Sequence, residues 1–147
     1  MNFFLPSAIV FLGIVLVGAD KIPIHDCGSK LAKITSIDVQ PCPTIPCPFK
    51  KGSTANVTVE FEASASFTSA ESSVHGILGG IPVRFPLKVK DACNNMKCPI
   101  KSGDKVLYKN SVAVRKEYPT IGVVVKWEIV TGKDEVLCFT VPVKILS

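Results

Sequence analysis

No stretch of this chain carries the three-to-four-residue apolar period of an amphipathic helix of useful length. That absence excludes helical bundles and the α/β folds, which need helices to cover their sheets. The chain also lacks a G-x-S-x-G turn, a phosphate-binding glycine loop, an H-E-x-x-H pair and a calcium loop. Histidine is scarce: His25 and His75 are the only two, and they are neither paired nor at metal-ligand spacing. His75, set beside glycines, reads as a hydrogen-bonded structural residue rather than a base. Glu60 and Glu62 are the nearest thing to a carboxylate pair, but a strand places both on one outward face, where they are solvated. No catalytic residue, metal or cofactor is therefore expected, and the chain does not read as an enzyme. The basic residues are not interleaved with aromatics, which argues against a nucleic-acid partner.

What the sequence does have begins with an apolar run, Ala8 to Val17, followed by Gly18-Ala19 as a small-residue cleavage site. The run is shorter than the roughly 20 residues a membrane-spanning helix needs. No Lys or Arg precedes it, so the amino terminus alone supplies the positive charge. Residues 1–19 read as a secretory signal peptide and residues 20–147 as one domain. All six cysteines, Cys27, Cys42, Cys47, Cys93, Cys98 and Cys138, lie after the cleavage site. An even number in a short exported chain predicts three disulfides, with 15 pairings open in principle. Cys42/Cys47 and Cys93/Cys98 sit close together in turn-rich segments, as stapled loops would. Cys27 and Cys138 are left over and would tie the two ends of the domain together. In the chain-entropy picture that long loop is worth about 4.7 kcal/mol and each short one about 2 kcal/mol. Zinc is the alternative use of thiols, but outside the cell they oxidise, and zinc-ligand pairs usually lie closer in sequence.

Glu117 to Ile129 carries the clearest period of two. Ile121, Val123, Val125, Trp127 and Ile129 share one face, with Val124, Lys126, Glu128 and Val130 on the other. Pro119 marks the start of that strand. The same alternation recurs in Val57-Val59-Phe61, in Ile81-Val83-Phe85-Leu87 with Pro82 and Pro86 on the opposite phase, and from Leu137 to Ile145. The prolines mark the second of these as an edge strand. Leu31 to Val39 alternates imperfectly, as a bulged strand would. Pro41 to Pro48 cannot be helix, Ala63 to Ser73 gives no clear period, and His75 to Gly80 reads as a loop or irregular strand. About seven short strands separated by turns predict an all-β, immunoglobulin-like β-sandwich. Alternation by itself describes a packed core and shows no cavity. Asn56-Val57-Thr58 is an N-glycosylation sequon on an outward strand face. The net charge is +5, and residues 84–116 concentrate nine basic residues against two aspartates. Such a segment either solvates outward strand faces or meets an anionic surface.

Several short stretches together resemble one family. They are D-C-G-S at Asp26–Ser29, P-C-P at Pro41–Pro43 with Cys47, N-V-T at Asn56–Thr58 and V-H-G-I-L at Val74–Leu78. P-V-R-F-P at Pro82–Pro86, C-P-I at Cys98–Ile100, and E-Y-P with V-V-V-K-W-E between Glu117 and Glu128 complete the set. In this combination the chain resembles the Niemann–Pick type C cholesterol transporter 2 family of the ML (lipid-recognition) domain superfamily, from Cys27 to Ser147. It departs from mammalian members at Gly79 and Phe139, where they carry Met and Trp. The resemblance implies a seven-stranded sandwich whose sheets part to hold a sterol, with disulfides Cys27–Cys138, Cys42–Cys47 and Cys93–Cys98. It implies ligand-binding positions at Phe85, Val114 and Tyr118, and also at Val39, Phe61, Pro119, Val123 and Trp127. It further implies a monomeric carrier, secreted or in the lysosomal lumen, with an anionic membrane and a Niemann–Pick type membrane transporter as partners. Other members of the superfamily suggest alternatives: an extracellular carrier of fatty acids or semiochemicals, or an innate-immune module for microbial lipid.

Overall fold

The computed structural model describes residues 21–147; the leader expected over residues 1–19 lies outside them. Eight strands follow in order: β1 (Ala32–Gln40), β2 (Cys47–Lys50), β3 (Thr54–Ala63), β4 (Glu71–Leu78), β5 (Ile81–Phe85), β6 (Lys105–Ala113), β7 (Gly122–Thr131) and β8 (Asp134–Leu146). They form a three-stranded sheet, β1-β3-β6, and a five-stranded sheet, β2-β8-β7-β4-β5. A single short 3-10 turn, Ala92–Asn94, is the one helical element among the described residues. The fold class is the expected all-β sandwich, with one strand more than the seven counted from periodicity.

The extra strand is β2, inside the proline-rich stretch. It pairs in parallel with β8, Cys47 opposite Val143 and Phe49 opposite Ile145. Prolines are tolerated there because β2 is the sheet edge, where unpaired ladder positions cost little. The imperfect period of β1 has its expected cause, since the β1–β3 register slips between Ile34 and Ser36. His75 to Leu78 is regular strand, and β4 pairs with both β5 and β7. Gly79-Gly80 closes the β4–β5 hairpin, both with positive φ, which a two-residue turn of this hand requires.

Inward residues of both sheets alternate as read: Val57, Val59 and Phe61 from β3, and Val123, Trp127 and Ile129 from β7, are buried. Val83 and Ile81 are the exception. Their parity points them to the inner side, yet they are 41% and 67% exposed. The facing sheet has only three strands and does not reach across edge strand β5. The disulfides are Cys27–Cys138, Cys42–Cys47 and Cys93–Cys98. The first anchors the segment before β1 along β8, where Cys27 N–H donates to the Cys138 carbonyl at 3.0 Å.

Candidate functional site: an apolar seam between the sheets

Two β-sheets pack about 10 Å apart, a gap that large side chains fill and small ones do not. At one end of this sandwich the inward residues are mostly valine and alanine. β3 contributes Ala55 and Val57, β6 contributes Val112 and Ala113, and Val114 follows. Across from them stand Val74 of β4, Val123 and Val125 of β7, and Val141, Val143 and Ile145 of β8. The short side chains leave a cavity of about 40 Å³. Only apolar surface lines it, so it has nothing to hold a water and stays dry.

Aromatic rings close both ends. Phe85, the last residue of β5, and Tyr118, in the β6–β7 connection, pack ring to ring at 5.2 Å and 39°. Both are half-buried, so they form the outer wall of the seam. Trp127 and Phe139, paired in register on β7 and β8, stack at 6.3 Å with planes 5° apart and form the inner wall. Behind Trp127 lies a buried polar knot. Tyr108 Oη of β6 accepts from Trp127 Nε1 at 3.2 Å and from Asn110 Nδ2 at 2.9 Å. Its own proton is then left for Ser72 Oγ of β4, 2.6 Å away. Burial pushes the Tyr108 hydroxyl above its ordinary pKa, against the pull of those three bonds, so it stays a neutral donor. Because Tyr108 is on one sheet and Ser72 and Trp127 on the other, the knot ties the sheets together at the closed end of the seam.

Six of the eight expected ligand-binding residues meet at this cavity: Val39, Phe85, Val114, Tyr118, Val123 and Trp127. Phe61 does not line it. It is fully buried on the inner face of β3, but four residues beyond Val57, or about 13 Å along the strand, in the packed half of the core. Pro119 does not line it either, being exposed in the turn that leads into β7. Periodicity had flagged Val57, Val125, Phe139 and Val141 only as core, although all four reach the seam. Phe49 carries no such mark in the sequence, because a four-residue edge strand among prolines has too few positions to show a period.

No catalytic or metal-binding group faces the cavity. The one group of three or more His, Cys, Asp or Glu side chains close enough to share an ion, among the described residues, is elsewhere, on the β7–β8 hairpin. Oxygens of Glu128 and Glu135 lie within 4.8 Å of each other and of Cys138 Sγ. That sulfur is bonded to Cys27 and offers no thiolate, so the cluster is not a soft-metal site. Burial first, and the neighbouring Glu128 carboxyl second, push Glu135 up to about 7.

The fold and seam define a class: a disulfide-braced β-sandwich with a wholly apolar seam between its two sheets. The family comparisons agree. The ML domain matches residues 21–145. The chain is 37% identical over 145 residues to the bovine (Bos taurus) NPC intracellular cholesterol transporter 2, covering 97% of each chain. It is 35% identical over 136 residues to the ecdysteroid-regulated 16 kDa protein of Manduca sexta, covering 90% of this chain and 94% of that protein. The crystal structure of a Niemann–Pick type C2 protein from the Japanese carpenter ant superposes with a TM-score of 0.78 at 30% identity, over 85% of this chain and all of that one. The chain belongs to the Niemann–Pick type C2 family of ML-domain, lipid-binding proteins.

Proposed function

We propose that this protein is a secreted or lysosomal carrier that takes up a sterol between its two sheets and passes it to a membrane or a Niemann–Pick type membrane transporter. The observation that carries this reading is the wholly apolar seam between Phe85/Tyr118 and Trp127/Phe139, in a chain of this family. At about 40 Å³ the empty seam is far below the roughly 300–1,000 Å³ of ligand pockets, so the sheets must part on binding. The polar knot at Tyr108 resists parting at the inner end, so the outer end is the one to open. A sterol burying about 500 Å² of apolar area gains roughly 12 kcal/mol gross, before ordering and association costs. With no polar surface facing the cavity, the ligand's hydroxyl belongs at the mouth beside Tyr118. Asn56 is exposed on β3 and accessible to the glycosylation its sequon encodes. No helix among the described residues is long and apolar enough to cross a membrane.

Competition of unlabelled sterol, fatty acid and lipid A against a bound fluorescent sterol tests the assignment. Displacement by sterol in preference to the other two is the expected result. Preferential displacement by the fatty acid would move the reading to a fatty-acid or semiochemical carrier, and by lipid A to an immune lipid sensor. No binding of any of the three would leave an ordinary packed core.

A further inference from the structure

Gly76 sits in the middle of β4, buried, between Val83 of β5 and Val125 of β7. Its φ lies outside the left-handed region, so the backbone there does not need glycine. Space does. A Cβ on residue 76 would stand 2.5 Å from both Cε2 and Cζ of Phe85 and 3.0 Å from Cγ2 of Val123. Carbon atoms in contact stay about 3.5–4.0 Å apart. The Phe85 ring therefore lies on bare backbone, in a slot that any side chain would fill.

We infer that Gly76 is the seat on which Phe85 closes the empty seam, and so a positioning residue that sets how readily the carrier opens. This rests on the carrier reading above. The clashing atoms are the far end of a side chain, so a methyl at position 76 displaces the ring and leaves the strand in place. The ring must give up its present place, and that movement loosens the outer wall it makes with Tyr118. Glycine at this point is a device for closing, and replacing it wedges the mouth ajar.

The test is stopped-flow uptake of dehydroergosterol by the empty protein, comparing wild type with Gly76→Ala. Uptake should be about tenfold faster in the variant, the fold-change that overpacking by one methyl supplies. Leucine at position 85 lacks the two clashing carbons. In a Phe85→Leu background, adding Gly76→Ala should therefore change the uptake rate by less than about twofold, since only the 3.0 Å contact with Val123 Cγ2 is left. An unchanged rate in Gly76→Ala, even with a lowered Tm, overturns the inference. So does a roughly tenfold effect of Gly76→Ala that persists undiminished without the Phe85 ring. Should Gly76→Ala fail to fold, the double variant must fold and take up ligand like Phe85→Leu alone; if it also fails, the seat does not act through Phe85. The same series run with the apolar dye ANS separates the two ideas. If wild type takes up dye but not sterol, the sterol assignment falls while the seat is still read from the dye.

Discussion

The hydroxyl of Tyr118 is buried and has no hydrogen-bond partner, although the residue as a whole is part exposed. An orphaned buried hydroxyl costs about 1–3 kcal/mol. The ring itself is in use, packed against Phe85 as the outer wall of the seam. The empty protein thus keeps a ring whose polar end it cannot satisfy. Tyr118→Phe removes only the orphan, and should stabilise the empty protein by about 1 kcal/mol in a denaturant titration. Tyr118→Ala removes the wall. It should lower sterol affinity by roughly tenfold or more, since even half a ring's contact area is worth about 2 kcal/mol, while costing the half-exposed fold less. Equal losses of binding and stability in Tyr118→Ala would make the residue ordinary core.

At the scale of elements, the β7–β8 hairpin carries a charge arrangement on the face away from the seam. Glu135 is pressed against Glu128, while Lys126 and Lys30 pull the other way and Lys126 pairs with Glu128 at 3.6 Å. With its carboxyl raised from 4.5 to about 7, the folded protein binds more protons than the unfolded chain between those values. The resulting stabilisation is complete below the unfolded value and is lost as pH rises through about 7. Thermal unfolding should accordingly give a higher Tm at acidic than at mildly alkaline pH, and Glu135→Gln should flatten that difference by raising the alkaline Tm. An unaltered pH profile in Glu135→Gln would place the dependence elsewhere. Elements also show how far the sequence could be read. The alternation of β7 and β8 marks the inner face directly, because both are long and central in their sheet. Val83 alternates just as well, yet faces water, because one strand's period says nothing of whether the opposite sheet extends over it. Phe61 shares its face with Val57, and periodicity has no term for position along the strand that separates seam from packed core. Gly76 looks like a loop residue in sequence because its role, an absent Cβ under a ring, exists only once β4 and β5 are paired.

On the whole molecule the positive charge is not spread evenly around the mouth. Along β6, Lys105 stands opposite Glu62 of β3, so part of the basic segment is offset by a glutamate across the strand. Others lie near the seam's outer wall in sequence. Arg84 and Lys88 flank Phe85, and Arg115 and Lys116 precede Tyr118, while Lys90 follows toward Ser72; all five basic residues are exposed. On the carrier reading proposed above, a mouth between two cationic segments would face an anionic bilayer in the orientation that lets an apolar ligand leave without crossing water. The triple change Lys88→Glu, Lys90→Glu and Lys116→Glu should therefore slow sterol transfer to vesicles containing anionic lipid. Transfer to neutral vesicles and equilibrium sterol affinity should stay as in wild type, because none of the three residues lines the seam. Near 1 M salt, where the screening length falls to about 3 Å, the two proteins should converge. Equal rates of transfer to anionic vesicles at low salt would show that these lysines only solvate the surface, and that the mouth finds its membrane by its apolar rim alone.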